Sequence, residues 1–370
     1  MRMSRPALIV GSCLLVLFAL IPFIGLHVPW VLPGTVNVVN STGTLDVLAL
    51  CFVFGGVTLG YDVLFGYTGL LSLGPVMYFA IGVYVFDIAM THWNWPLLAA
   101  LALTFGVSLI FSLIFGALAL RVKGIAFTMV TLAFAQAFYY LIEDNPRGLT
   151  GGDTGLALFS NRLPRFLSGA VSNTRNLYWM TLGFLVVAYL VVWVVTESRT
   201  GHVFVAIREN ERRLEVMGVR SFPYKLIAFT LSSLVTTGGG VAYVLLIGTA
   251  VPAAAASTTV SLAVLVMVVL GGAGTRWGAV TGAMIYIYLQ QYLLKVANEP
   301  SFTTLPAFLR VPLSQPQFLL GTIFVLFVIF VPGGLAGIVA RLRGQASSQP
   351  QALKRLGRLL TRKEPHDAAR

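Results

Sequence analysis

Charge is what this sequence has least of. Only 10% of its 370 residues are Asp, Glu, Lys or Arg, against about a quarter in an ordinary globular domain. A soluble fold of this length, with 57% hydrophobic residues and a mean hydropathy of +0.85, would leave most of that apolar surface in water. That excludes a soluble enzyme or binding domain. Cysteine is nearly absent as well: Cys13 and Cys51 both lie inside apolar runs, as small buried hydrophobes do, and neither suggests a disulfide or redox chemistry. The four histidines, His27, His92, His202 and His366, are scattered, with no His-Glu-x-x-His and no Gly-x-Ser-x-Gly elbow. A phosphate-cradling Gly-x-x-x-x-Gly-Lys-Ser/Thr loop is missing too, so the chain does not hold nucleotide by that device. A membrane enzyme would need polar groups converging from distant helices.

Long apolar runs are what the sequence does have. About 20 helical residues span the ~30 Å of bilayer hydrocarbon, and scanning for such stretches predicts an all-α bundle of about ten transmembrane helices. Their spans are 8–26, 44–64, 69–90, 97–119, 124–142, 177–196, 225–247, 258–274, 277–296 and 317–338. The first, preceded by Arg2 and Arg5, has the outline of a signal peptide. It carries no small-x-small cleavage site and is long enough to span, so it is read as the first membrane helix.

The few charges are unevenly placed. Against 13 acidic residues stand 25 Lys and Arg, a net charge of +12, and the bases concentrate in 197–225 and 341–370. With the N-terminus inside, alternation of ten spans puts Arg121 and Lys123, the 197–225 segment, Arg276 and the C-terminal tail on the same, cytoplasmic side. The 143–176 loop, with Arg147, Arg162, Arg165 and Arg175 partly balanced by Glu143, Asp144 and Asp153, falls outside. No aromatic-interleaved basic patch accompanies the charge, which argues against nucleic acid. The chain divides into a membrane domain over 1–340 and a basic, largely disordered cytoplasmic tail over 341–370.

Two places in the membrane domain carry polar chemistry. Residues 66–75, Gly-Tyr-Thr-Gly-Leu-Leu-Ser-Leu-Gly-Pro, interrupt an apolar stretch. They form either a tight turn at the membrane surface or a broken helix lining a path, since irregular backbone at membrane depth survives only inside protein or along a cavity. Asp62, Tyr67, Thr68, Ser72 and Gly74 at this break, with Gln136 in the middle of the fifth span, are the candidate translocation-pathway residues. Ser72 and Gln136 fit interhelical hydrogen bonding equally well. Asp46 is expected to cap the second span and Asp87 to sit at a membrane interface. No carboxylates or histidines are spaced as a proton relay along one helix face, which weakens an ion- or proton-coupled mechanism. The glycines at 271–274 fail Gly-x-Gly-x-x-Gly, because Trp277 stands where the third glycine belongs, and suit close helix packing instead.

The second place is the polar segment 206–219. Asn210 is a fair N-cap, Glu209 and Arg213 are spaced as an i,i+4 pair, and Gly218 suits the left-handed position past a helix end. A helix of about two turns is expected, with Leu214 and Met217 forming an apolar knob among charges. From its residues alone the segment is either a solvated connector or a helix shaped to dock in a partner's groove.

Taken together, seven ordered motifs resemble the permease subunits of ATP-binding-cassette importers for branched-chain amino acids, of the LivM type. They are residues 66–74; Arg121–Phe127 running into Val130–Gln136; Leu149–Leu156; Ser198–Gly201 through Ala206–Glu211 to Gly218; Tyr224–Leu226; Met267–Gly278; and Pro332–Gly337, covering roughly 55–338. The resemblance implies a type II importer-like permease in the bacterial inner membrane, with both termini cytoplasmic and with alternating access. Its implied partners are a second, homologous permease subunit, two cytoplasmic ATPase subunits and an extracytoplasmic solute-binding protein. This chain would itself bind no cofactor, ATP and Mg being used by the ATPases. The resemblance makes 197–224 the ATPase-coupling segment, with Arg208, Glu209, Asn210, Glu211, Leu214, Glu215, Met217 and Gly218 carrying the contact. The sequence departs from the family pattern at Pro75-Val76-Met77-Tyr78, at Asp62 and Asp87, and at Ala253–Ser257. The solute is therefore open between branched-chain or other amino acids and urea, short amides or small organic acids. On this reading Leu214→Asp is expected to abolish solute-stimulated ATP hydrolysis while leaving the chain in the membrane, measured on the reconstituted transporter.

Overall fold

Apolar helices dominate a computed structural model of the chain, which describes residues 18–23, 41–158, 173–297, 315–331 and 333–342. The helices are α1 (Thr42–Asp62), α2 (Pro75–Thr91), α3 (Leu97–Ala119), α4 (Ile125–Glu143), α5 (Thr174–Glu197), α6 (Arg199–Val216), α7 (Ser221–Ile247), α8 (Thr258–Gly271), α9 (Arg276–Ala297), α10 (Pro316–Phe330) and α11 (Gly334–Leu342). Seven helical stretches among the described residues are long and apolar enough to cross a membrane, and the 17-residue α2 is apolar but shorter. The all-α polytopic architecture read from the sequence is the one found. Most of the expected first span and the 343–370 part of the tail lie outside the described residues.

Two central helices organise the bundle. The apolar window of α1 is 78% buried, against 22% for those of α3 and α4, so α1 is an axis and α3 and α4 present most of their surface outward. Around α1 stand α5, α7, α8 and α9, while α2 packs on α7, α3 and α4. A periodic amphipathic pattern is missing from α1 and α2 because both are enclosed on nearly all sides, as helices hydrophobic all round are.

Small residues set how closely the helices approach. A Cβ on Gly82 of α2 would stand 2.2 Å from the Thr237 carbonyl oxygen, and one on Gly240 of α7 would stand 2.1 Å from that of Phe79. These helices therefore cross backbone to backbone, the contact that small residues permit where lipid supplies no hydrophobic drive. Thr237 Oγ1 joins the crossing by donating to the Tyr78 carbonyl at 3.1 Å and pairing with Ser108 of α3 at 2.6 Å. The glycines at 271–274 do serve packing: a Cβ on Gly271 would lie 2.0 Å from Gly278 O, holding α8 and α9 in a tight hairpin.

The charges gather at one end of the bundle. Lys123, before α4, and Lys225 of α7 both reach Glu211 of α6, at 3.7 and 2.6 Å, and Arg276 of α9 pairs with Glu197 of α5 at 2.9 Å. These are the segments that alternation assigns to one side of the membrane. At the opposite end the 145–158 loop folds back on the bundle. Asn145 Oδ1 accepts from Thr150 and Gly151 N–H at 3.0 Å each, and Leu156–Ala157 pairs antiparallel with Thr249–Ala250.

One carboxylate differs from expectation. Ser41, not Asp46, caps α1, its Oγ accepting from Thr44 N at 3.4 Å. Asp87, one turn before the end of α2, is buried within the protein, its Oδ1 accepting from Thr91 Oγ1 at 2.9 Å, while residues 92–96 just beyond it are exposed.

Gly82→Val and Gly240→Leu are expected to destabilise the bundle by ~3 kcal/mol or more through backbone overlap, so that little detergent-extracted protein runs as a single species in gel filtration. Gly106→Ala, where an added methyl meets nothing within 4 Å, is expected to match the parent.

Candidate functional site

At its end α1 leaves ordinary helical geometry. It widens into a π-turn over Val63–Tyr67, and residues 68–74 then run without regular structure before Pro75 opens α2 at its first position. Proline there costs nothing, its missing N–H being one of the helix's unpaired donors. Gly69, with φ +73°, turns the chain, a backbone conformation in which glycine carries no Cβ penalty.

The irregular segment is held inside the protein by borrowed partners. Tyr61 Oη donates to the Ser72 carbonyl at 2.9 Å, Thr128 Oγ1 to that of Leu71 at 2.7 Å, and Ser261 Oγ to that of Leu73 at 2.8 Å. Leu73 N–H donates to Thr131 Oγ1 at 3.2 Å and Gly74 N–H to Ser72 Oγ at 3.1 Å. Three helices, α1, α4 and α8, thus satisfy backbone groups that hydrocarbon would leave unpaired. The segment also climbs: Gly69 lies against Arg208 at the charged end, whereas Leu73 meets Ser261, ten residues before α8 reaches that end at Gly271. Of the two sequence-level readings of 66–75, the geometry is that of a broken helix returning into the bundle.

Five of the six candidate pathway residues separate into two groups. Ser72 and Gly74 lie at the upper part of the break beside Thr131, and Gln136 joins this level from α4, its Oε1 accepting from Thr258 Oγ1 of α8 at 2.7 Å. Thr131, Thr258 and Ser261 complete this uncharged constellation. Sequence reading did not single them out, because lone hydroxyls are common in apolar helices and only the fold shows that these three converge. Thr68 turns inward, its Oγ1 donating to Leu64 O. Asp62 and Tyr67 belong instead to the charged end. Asp62 is fully buried, with Oδ1 accepting from Gly274 N–H at 2.8 Å, and Tyr67 lies beside Thr196 and Arg276.

The segment expected to couple to an ATPase is two helical pieces. At Asn210 the backbone leaves helical geometry (φ −164°, ψ 95°), and Asn210 Oδ1 caps the second part by accepting from Arg213 N–H at 3.0 Å. The expected cap is present, as is Gly218 at the left-handed position (φ +85°). The expected Glu209–Arg213 ion pair is not among the salt bridges of the described residues. The break at Asn210 removes the i,i+4 register between them.

The second part of α6 is anchored on one face and open on the other. Glu211 Oε1 accepts from Lys225 Nζ at 2.6 Å and from Ser221 Oγ at 2.7 Å, and Glu215 Oε1 accepts from Ser221 Oγ at 3.0 Å. Burial pushes the Glu211 carboxyl up. The hydrogen bonds from Lys225 and Ser221 and the charges of Lys225 and Lys123 outweigh it, leaving its pKa below that of an ordinary glutamate. Leu214 is also turned inward and buried, so the outward apolar surface is Val216 and Met217, 83% and 67% exposed. The knob is displaced from Leu214–Met217 because Leu214 faces the bundle while α6 ends at Val216 and Met217 lies past its last residue. Leu214→Asp would therefore bury a charge as well as alter any docking face. Glu209, Arg212 and Arg213 are exposed around the open side. A shallow hollow of about 340 Å³, lined by Glu215 and 218–222, lies next to it.

Among the described residues no three His, Cys, Asp or Glu side chains come together as a metal site. The family model described as the branched-chain amino acid transport system / permease component matches residues 43–331. Two curated relatives are each named high-affinity branched-chain amino acid transport system permease protein LivM, from Salmonella typhimurium (strain LT2) and Escherichia coli (strain K12). Each is 26% identical over 316 residues, covering 80% of this chain and 70% of the relative. No solved structure matches the chain.

Because the Glu211 pKa is lowered, the stability this carboxylate contributes is fully present above the ordinary glutamate value and is lost as pH falls through the lower folded value. Thermal unfolding is accordingly expected to show no pH dependence from this anchor between about pH 8 and pH 6, its contribution being complete there. Lys225→Met, which strips the charged partner, should lower stability by ~1–3 kcal/mol at neutral pH, read as a drop in the unfolding midpoint of the detergent-solubilised protein.

Proposed function

The chain belongs to the family of branched-chain amino acid transport permease components, and on that premise we propose that it is a membrane-spanning subunit of an ATP-binding-cassette importer. The observation that carries this reading is the family match over 43–331 together with α6, a short charged element that is anchored by Glu211 and Glu215 and offers Val216 and Met217 outward. Membrane permeases of this kind perform no chemistry of their own. The energy comes from ATP and Mg bound by two separate ATPase subunits at the cytoplasmic end, where α6 docks. A second, homologous permease subunit completes the path, and an extracytoplasmic binding protein delivers solute. The chain sits in the bacterial inner membrane with both termini cytoplasmic.

In this reading closure of the ATPase pair moves α6, and the break between α1 and α2 alternates its opening. Ser72, Thr131, Gln136, Thr258 and Ser261 offer neutral hydroxyl, amide and backbone groups. Such a lining suits a small polar solute without net charge, branched-chain or other amino acids foremost. The departures at Pro75–Tyr78 and Ala253–Ser257 favour a second reading within the same machine, an importer of urea, short amides or small organic acids. A stand-alone ion-coupled carrier is disfavoured, because the two fully buried carboxylates, Asp62 and Asp87, belong to opposite regions of the fold, the charged end and the far part of α2.

The direct test is co-purification of the chain with its ATPase and sister permease, reconstitution in liposomes, and ATP hydrolysis with and without leucine-loaded binding protein. Stimulation by the loaded protein is expected for an amino-acid importer. Assembly without stimulation would move the solute to the second reading, and a folded chain that binds no ATPase would overturn the importer. Met217→Asp, which places a charge on the outward apolar surface, should weaken ATPase association about tenfold or more, read by pull-down from solubilised membranes.

A further inference from the structure

Three segments distant in sequence meet where α1 ends. Asp62 Oδ1 accepts from Gly274 N–H, in the turn between α8 and α9, at 2.8 Å. Arg208 of α6 donates from Nη1 to the Gly66 carbonyl. Glycines make room for the meeting: a Cβ on Gly66 would fall 1.9 Å from Asp62 Oδ1 and 2.3 Å from Gly274 N, one on Gly274 would fall 2.8 Å from Arg208 Nη1, and one on Gly69 would fall 3.1 Å from Arg208 Cγ. The carboxylate and the guanidinium are thus each packed against the same backbone, that of Gly66 and Gly274.

The charges are incomplete as they stand. Asp62 is fully buried, and its Oδ2 has no hydrogen-bond partner among the described residues. A carboxylate removed from water is costly unless paired. Arg276 is occupied by Glu197 and Thr196, and Lys225 by Glu211 and not by Asp62. The basic group whose charge acts on Asp62 is Arg208, yet no nitrogen of Arg208 lies within 4.0 Å of the carboxylate. Arg208 therefore rests on one acceptor, the Gly66 carbonyl, with a second and stronger one just behind it.

We propose that Arg208 and Asp62 are a positioning pair that carries movement of α6 into the membrane domain, Arg208 passing between the Gly66 carbonyl and Asp62 Oδ2 as the transporter cycles. The proposal rests on the reading of α6 as the ATPase-coupling element. The break at Asn210 separates the outward part of α6 from the part bearing Arg208, which is seated by Phe204 and Ile207, so a push on the former reorients the latter. Because Asp62 holds Gly274 with its other oxygen, drawing on Asp62 moves the end of α1 and the α8–α9 turn together. The end of α1 leads straight into the 68–74 segment. Asp62 therefore acts through Arg208 and the backbone, without touching solute.

The test reads conformational coupling without knowing the solute. Thr258→Cys, in a Cys13→Ala/Cys51→Ala background, reports accessibility at the break by fluorescent-maleimide labelling of the full transporter, with and without ATP and vanadate. The parent is expected to change its labelling rate several-fold with nucleotide. Asp62→Asn, which keeps the acceptor for Gly274, and Arg208→Gln should each shrink that change at least fivefold. The double variant should be no worse than the poorer single, and Arg208→Lys should recover part of the response. Full responses in Asp62→Asn and Arg208→Gln, or losses that multiply in the double variant, would overturn the pair. If Asp62→Asn does not accumulate, Arg208→Gln with Arg208→Lys decides in the same way. Met217→Asp separates the two levels: loss of the ATPase from Met217→Asp, with a full response in Asp62→Asn, overturns the pair alone, whereas an unaltered complex with Met217→Asp overturns the coupling reading beneath it.

Discussion

Backbone N–H and C=O groups in hydrocarbon have no water to fall back on, and an unpaired one costs several kcal/mol. Helices meet this demand internally. The segment between α1 and α2 does not, and the arrangement around it follows from that need. Tyr61, Thr128, Thr131 and Ser261 are spent on the backbone of residues 71–73, which fixes where α4 and α8 stand relative to α1. A polar break is thereby made stable within an apolar bundle.

The close glycine crossings are the complement of that requirement. Where Gly82 meets Thr237 and Gly240 meets Phe79, the backbones of α2 and α7 touch, and the tight contact holds α2 although it is too short to span in the manner of its neighbours. The same device at Gly271 and Gly278 folds α8 on α9 and presents Gly274 N–H to Asp62. Packing by small residues and pairing of backbone polar groups are here two views of one solution: the chain approaches itself closely enough for donors and acceptors to meet.

At the charged end, short charge-assisted bonds do the work that hydrophobic burial does elsewhere. Glu211 gathers Lys225, Ser221 and Lys123, and Glu197 holds Arg276. These contacts make α6 part of the bundle rather than a free connector, and its break at Asn210 leaves one face anchored and the other exposed.

The composition, the apolar runs and the distribution of Lys and Arg determined the fold class, most of the spans and the common side of the basic segments, because in a membrane those properties are set by transfer free energy, which is local in sequence. The cap at Asn210 and the left-handed Gly218 were legible for the same reason, since a helix end is a contact among near neighbours. The convergence of Ser72, Thr131, Gln136, Thr258 and Ser261 was not legible, nor was the inward turn of Leu214, the burial of Asp87 or the meeting of Asp62, Gly274 and Arg208. These depend on which helix faces meet across separations of up to 212 residues. Nothing in the pattern of an all-apolar helix such as α1 marks a face, so only the packed bundle could decide them.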